Sequence, residues 1–189
     1  REAAKDVDVI VTNHSFMAID AFEGRPMLPE HDVLVIDEAH ELVDRVTSTV
    51  TDELTPGGIR AAAKRARKFA ESTDDLDDLA ADLEAVLEEA PEGRLTAGIP
   101  DALAGILGRC RDTGRSLLTE MKPPKGEQVD GARQIALAGV EEVHETAGRM
   151  LEEHEVDVIW VSRDLRRGPV LRVAPMSVAM RVRERIFGT

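Results

Sequence analysis

Aromatic residues and cysteine are scarce in this 189-residue chain, which has four Phe, one Trp, no Tyr and one Cys. So few aromatic rings exclude a platform on which successive nucleic-acid bases could stack, and they require an aliphatic core. The single cysteine, Cys110, excludes an internal disulfide and a cysteine-based zinc site. Hydrophobic residues nevertheless make up 42% of the chain, which is enough to build a packed core.

Basic residues are also in the minority, with 24 Lys and Arg against 37 Asp and Glu and a formal net charge of −13. Residues 1–50 and residues 51–155 each carry net negative charge, whereas residues 156–189 carry net positive charge. This balance argues against a dedicated nucleic-acid-binding module, although it permits a chain that forms one wall of a nucleic-acid channel. Neither a signal peptide nor an apolar run of about 18 residues is present, so we expect a cytoplasmic protein without membrane contact.

Two short apolar runs near the N-terminus, residues 7–11 and 33–36, are typical of buried strands. Between them, residues 14–22 carry apolar side chains at the spacing of a short helix, and Thr12 and Asn13 can form its turn and N-cap. Two buried strands joined by a crossover of about twenty residues are usually parallel neighbours. A second helix is predicted over residues 38–50.

The pattern becomes purely helical between residues 56 and 155, where apolar stripes predict helices over 59–69, 74–90, 99–121 and 129–154. Cys110 lies on such a stripe, so we expect it in the core. Strand character returns in a hairpin signal at residues 156–173, with its turn at residues 166–169, and a last helix is predicted from Ser177 to Phe187.

The predicted fold class is therefore an α/β portion, with a mostly parallel sheet and a returning hairpin, interrupted by a large all-α insertion. We assign residues 1–50 and 156–189 to the α/β domain and residues 51–155 to the insertion. The chain does not begin with Met, which favours a fragment of a longer protein.

The chemistry is concentrated in Asp37-Glu38-Ala39-His40, directly after the second apolar run. A carboxylate at the carboxyl end of a buried strand points into the crevice where ligands bind in parallel sheets. In phosphoryl-transfer enzymes an Asp at this position holds Mg²⁺, and a neighbouring Glu can orient the attacking water or accept its proton. The ordinary alternative is an acidic pair that begins a helix.

Residues 9–14, Val-Ile-Val-Thr-Asn-His, precede this box, and Thr12 lies 25 residues before Asp37. The combination resembles the Thr-Asn-His segment and the Walker B box of the DinG/XPD group of superfamily 2 DNA helicases. In that family a helical Arch domain is inserted after the box, and the chain then returns to the first motor domain. The predicted order of elements is similar to this layout.

The resemblance implies an ATP-driven motor that translocates on single-stranded or forked DNA, 5′ to 3′, with a role in DNA repair. It implies Mg–ATP as cofactor, with Asp37 binding Mg²⁺, Glu38 activating water and His40 coupling the nucleotide site to the nucleic acid. It also implies a 4Fe–4S cluster whose cysteines lie outside this chain. No Gly-Lys-Ser/Thr occurs in the sequence, so the phosphate-binding P-loop is missing and we expect this chain alone to be inactive.

Other candidate sites are weaker. Two basic clusters could contact phosphates, although solvated surface charge is the usual explanation: Arg163, Arg166, Arg167 and Arg172, and Arg60, Lys64, Arg65, Arg67 and Lys68. The histidines at positions 144 and 154 lie among glutamates, where we expect a solvated acidic helix face and no metal site.

Two alternative functions remain open from the sequence. The chain could be a stand-alone helical adaptor in which the Asp-Glu-Ala-His sequence is accidental. It could also be a fragment of an RNA helicase, because the same box occurs in enzymes that act on RNA.

Overall fold

The computed structural model describes residues 7–22, 27–123, 130–152 and 156–186. The elements follow the order α1 (His14–Phe22), α2 (Ala39–Thr49), β1 (Asp52–Leu54), α3 (Pro56–Ala66), α4 (Asp74–Glu89), β2 (Gly93–Arg94), α5 (Asp101–Glu120), α6 (Gly131–Leu151), β3 (Asp157–Asp164), β4 (Gly168–Pro175) and α7 (Ala179–Ile186). They form two compact units, one made of residues 1–51 and 174–189 and the other of residues 52–173. None of the helices in the described ranges is long and apolar enough to cross a membrane.

The smaller unit is built on α1, α2 and α7. Its small core contains Met17, Ala18, Leu42, Val46 and Val178, all of which are buried. Helix α1 begins where predicted because the Asn13 side chain caps it: the Phe16 backbone N–H donates to Asn13 Oδ1 at 2.8 Å.

The two apolar runs of the smaller unit form neither a helix nor a strand ladder with described residues. Their outward side chains are exposed: 75% for Val9, 91% for Val11, 77% for Val33 and 87% for Val35. The prediction of two buried parallel strands is therefore wrong for this structure. An apolar run on both faces of a strand is buried only when neighbouring strands and covering helices are present, and the described residues supply neither.

The larger unit packs α3, α4, α5 and α6 around an aliphatic core. Leu76, Leu79, Leu83, Leu107, Val140 and Met150 are among its buried side chains. Cys110 lies in this core as predicted and is fully buried, and burial raises the pKa of its thiol to about 11. Helices α5 and α6 approach closely at Gly114, where an added Cβ would lie 2.9 Å from Cβ of His144.

One four-stranded sheet, in the order β1-β4-β3-β2, covers part of this core. Strand β1 pairs with β4 and β2 pairs with β3, both antiparallel, and Leu54, Val161, Leu171 and Val173 face the helices. The predicted mostly parallel sheet is thus replaced by an antiparallel one. Sequence periodicity missed β1 and β2 because runs of two or three residues carry no detectable alternation.

The hairpin turn closes in three residues, between Asp164 and Gly168. Asp164 Oδ1 accepts hydrogen bonds from the backbone N–H groups of Arg166 at 2.9 Å and Arg167 at 3.0 Å. Gly168 has φ of 75°, the left-handed conformation that three-residue hairpin loops require. The turn begins one residue before the position predicted from the sequence.

The hairpin belongs to the helical unit, whereas the sequence pattern grouped residues 156–189 with residues 1–50. Arg149 of α6 helps to hold it, since its guanidinium lies 2.9 Å from Asp157 in β3 and 2.6 Å from Asp52 in β1. Of residues 156–189, only those beyond 173 belong to the smaller unit. Phe187, the predicted end of the last helix, lies outside the described residues.

Candidate active site and nucleic-acid interface

The Asp37-Glu38-Ala39-His40 box lies between the second apolar run and α2, whereas the sequence predicted it at the end of a buried strand. Glu38 is the N-cap residue of α2 and has φ 48° and ψ 46°, the left-handed conformation. Among the described residues it is the only non-glycine residue with positive φ. Such a conformation costs a residue with a side chain on the order of 1–2 kcal/mol and occurs disproportionately at functional sites.

Asp37 is exposed at this turn, and its Oδ1 accepts a hydrogen bond from the backbone N–H of Glu38 at 2.9 Å. An exposed carboxylate fits as one oxygen ligand of a hard cation such as Mg²⁺. No group of three or more His, Cys, Asp or Glu side chains within the described ranges is arranged to hold a metal.

The side chains of Glu38 and His40 form an exposed pair. His40 Nδ1 lies 3.3 Å from Glu38 Oε2, and the side chains of His40 and Glu38 are 76% and 65% accessible, respectively. A carboxylate in this position is open to a reacting water molecule, and the imidazole is near enough to respond to its charge. The roles predicted for Glu38 and His40 stay predictions.

The Thr12-Asn13-His14 segment meets the box directly. His14 Nε2 lies 2.9 Å from the backbone carbonyl oxygen of Asp37, although the two residues are 23 positions apart. Asn13 caps α1, and Thr12 is exposed. The sequence indicates that the segment and the box are paired motifs, but their spacing alone gives no indication of this contact.

A cleft of about 910 Å³ lies beside these residues in the smaller unit. Valine and isoleucine residues of the two apolar runs form much of its wall, while His14, Asp37 and Glu38 lie along it. Its volume is in the range of small-molecule sites, which run from about 300 to 1,000 Å³. Besides Asp37 and Glu38, its lining includes the acidic residues Asp8, Glu30, Asp32 and Glu41.

The hairpin arginines, predicted to contact nucleic acid, occupy different environments. The Arg163 guanidinium donates to the backbone carbonyl oxygen of Glu88 at 2.9 Å and also reaches those of Leu87 and Ala90 at longer distance. These are carbonyls at the C-terminal end of α4, which lack partners within the helix. Arg163 therefore caps α4, a role that sequence reasoning missed.

Arg167 and Arg172 share one carboxylate, Glu53 of β1. Their guanidinium groups lie 2.6 and 2.7 Å from its two oxygens. Burial raises the pKa of Glu53, but the hydrogen bonds and charges of Arg172 and Arg167 outweigh this effect and hold the pKa below its usual value. The side chain of Arg166, by contrast, is exposed and makes no ion pair with a described residue, so of the three predicted residues it is the most available to a phosphate.

The second basic cluster is partly neutralised, because Arg60 pairs with Glu84 and Arg67 pairs with Asp77 at 2.7 Å. These two arginines are therefore less available to a phosphate than the sequence suggests.

The remaining candidates are structural where the chain is described. His144 Nδ1 lies 2.7 Å from the backbone carbonyl oxygen of Arg111, a contact between α6 and α5. The other histidine of that acidic face, His154, lies outside the described residues. Cys110, buried and with a raised pKa, does not fit as an iron–sulfur ligand.

The chain is similar to curated proteins of known name, although no protein-family model matches it. It is 34% identical over 198 aligned positions to the ATP-dependent helicases DinG of Mycobacterium tuberculosis and Mycobacterium bovis. The match covers 99% of this chain and 30% of the length of each relative. The resemblance to DinG-type helicases that the two motifs indicated is thereby confirmed, and it extends over almost the whole chain.

Proposed function

We propose that this chain is an internal part of an ATP-dependent DNA helicase that moves 5′ to 3′ on single-stranded or forked DNA in the cytoplasm. It would supply the Walker B turn of the first motor domain together with the Arch. The similarity to DinG supports the helicase class. The observation that carries the proposal is the exposed turn at residues 37–40, with two carboxylates beside an open cleft.

In this proposal the chain contributes two carboxylates to the reaction. The Asp37 carboxylate would be one of the oxygen ligands of the Mg²⁺ in Mg–ATP, and this ion would offset charge on the phosphates. The Glu38 carboxylate orients a water molecule and accepts its proton as the water oxygen bonds to the γ-phosphorus and the bond to the bridging oxygen of ADP breaks. His40, 3.3 Å from Glu38, would transmit the state of this site toward the nucleic acid.

The nucleic acid would be contacted by the exposed cation of the hairpin turn. Arg166 is exposed, while Arg163 and Arg167 are engaged by α4 and by Glu53. We therefore place the phosphate contact at Arg166 first. The iron–sulfur cluster and a role in DNA repair also belong to the proposal and would depend on residues outside this chain.

The test uses the full-length protein that contains this segment. Replacing Glu38 by Gln should leave Mg–ATP binding intact and lower the ATP turnover by about 10²–10⁴, because a general base is lost. Asp37→Ala should in addition weaken Mg²⁺ binding. Asp44→Asn is the matched control, since Asp44 is an exposed carboxylate on the same helix, α2, and does not line the cleft.

Substrate class and direction need separate assays. ATP turnover should rise with single-stranded DNA more than with single-stranded RNA, and forks with a 5′ tail should be unwound in preference to forks with a 3′ tail. Normal turnover by Glu38→Gln would remove Glu38 from the mechanism. Stimulation by RNA alone would favour the RNA-helicase alternative.

A further inference from the structure

The peptide group between Asp37 and Glu38 is held at both of its polar atoms. Its carbonyl oxygen lies 2.9 Å from His14 Nε2, and its N–H donates to Asp37 Oδ1 at 2.9 Å. A backbone carbonyl can only accept, so Nε2 of His14 must carry the proton in this contact. The plane of this peptide is thus determined by two side chains, one of them from a different helix.

This peptide immediately precedes the strained residue. Glu38 has φ 48° and ψ 46°, a conformation that residues with a Cβ avoid unless their surroundings impose it. The φ angle is the rotation about the bond from the backbone N of Glu38, which belongs to the held peptide, to its Cα. The orientation of the peptide therefore decides the direction of the Glu38 side chain. Relaxation to a right-handed conformation would turn the carboxylate to a different position.

The position of His14, the donor to this carbonyl, is fixed by its surroundings. His14 is the first residue of α1, whose N-terminus is capped by Asn13, and the next turn buries Met17 and Ala18 in one cluster with Leu42 and Val46 of α2. Helix α2 is the helix that Glu38 caps. Helix α1, which carries His14, and helix α2, which begins at the turn, therefore pack into the same small core. His14 makes the polar contact between α1 and the turn.

We propose that His14 is a positioning residue that stabilises the left-handed conformation of Glu38 and thereby aims its carboxylate. The inference rests on the proposed function of Glu38 as the residue that activates water. Although His14 lines the cleft, in this account it acts on the reaction through the peptide between residues 37 and 38. The Thr-Asn-His segment thus gains a physical role, because Asn13 starts the helix and His14 sets the catalytic turn.

The test is a double-mutant cycle on the full-length protein. His14→Phe keeps an aromatic ring and removes the donor, so kcat for ATP should fall by about 10- to 100-fold, as expected for a small misplacement of a reacting group, while KM for Mg–ATP stays within about twofold. His14→Gln retains an N–H donor and should recover a large part of kcat. In a Glu38→Gln background His14→Phe should have no further effect on kcat.

The outcomes are distinguishable. If Glu38→Gln is inactive but His14→Phe turns over normally, the proposed function stands and the positioning role is wrong. If His14→Phe lowers kcat equally in the wild-type and Glu38→Gln backgrounds, or if His14→Gln is no better than His14→Phe, the contact is merely structural and the inference is overturned. Normal turnover by Glu38→Gln would reject the proposed function and this inference with it.

Discussion

Gly114 of α5 meets His144 of α6 with no room for a side chain: a Cβ on Gly114 would lie 2.9 Å from Cβ and 3.3 Å from Cα of His144. The two helices have 20 and 21 residues, and this contact limits how closely they approach each other. The hydrogen bond between His144 Nδ1 and the carbonyl oxygen of Arg111 forms one turn away. The glycine is therefore explained by packing, not by backbone conformation.

Gly114→Ala should consequently destabilise the larger unit by about 1–3 kcal/mol, because the two backbones must separate. Gly105→Ala is the matched control on the same helix: it is exposed, nothing lies within 4 Å of its added Cβ, and it should stabilise the unit by about 0.5–1 kcal/mol. Urea unfolding followed by the fluorescence of Trp160, the only tryptophan, measures both. Equal effects of the two substitutions would contradict this assignment.

Arg163 and Arg166 should separate stability from nucleic-acid binding. Arg163→Gln removes the cap of α4 and should lower the free energy of unfolding by about 1–2 kcal/mol. Arg166→Gln should leave stability unchanged and, in the full-length protein, reduce the salt dependence of single-strand affinity by about one slope unit. An unchanged salt dependence would show that Arg166 is an ordinary surface charge that does not contact a phosphate.

Glu53 should make the larger unit sensitive to acid. Its pKa in the folded state is lowered, so its stabilising contribution is complete above the unfolded value of about 4.3 and is lost as the pH falls through the folded value. Glu53→Gln should therefore destabilise the unit at pH 6.5 and have a smaller effect near pH 3. Unfolding curves at both pH values test this, and a difference that does not shrink in acid would refute it.

Cys110 should be inert to thiol reagents in the folded protein. Its pKa of about 11 leaves almost no thiolate at pH 8, and its side chain has no exposed surface. Ellman's reagent should react with it only after denaturation or at the rate of transient opening. Rapid labelling of the folded protein at pH 8 would show that α5 is not packed as described.

The 189-residue chain by itself should not hydrolyse ATP. Phosphoryl transfer depends on several parts placed together, and the sequence contains no Gly-Lys-Ser/Thr loop to hold the phosphates. An ATPase assay with and without single-stranded DNA, together with calorimetry against Mg–ATP, checks this. Turnover that is abolished by Glu38→Gln would show that the chain needs fewer parts than we expect.

The helices of the larger unit could be predicted closely because their periodicity is local. The predicted helix over residues 74–90 is found as Asp74–Glu89, and its stripe of Leu76, Leu79 and Leu83 is buried. Errors arise where the stripe is broad, as at Ile135, which the apolar pattern places in the core and which is 60% exposed. A helix stripe specifies a face, but only the neighbouring helices decide its width.

The sheet and the candidate site could be predicted only in part. Strand β1 pairs with a segment more than a hundred residues away, and no local pattern reveals such a pairing. The box and the Thr-Asn-His segment are recognisable as motifs, but the left-handed conformation of Glu38 carries no sequence signal, because glycine or asparagine normally occupies it. The hydrogen-bond acceptors of Arg163 could not be predicted from the sequence either, since they are backbone carbonyls.

The pairing of Asp52 with Val173 places the first and last residues of the larger unit side by side. Partners in an antiparallel ladder lie about 4.5–5.5 Å apart, so the chain leaves this unit almost where it entered. The distance between the two ends of this unit of four helices and a sheet is therefore as short as the distance across a single tight turn. A short connector across residues 52 and 173 should therefore suffice to delete this unit.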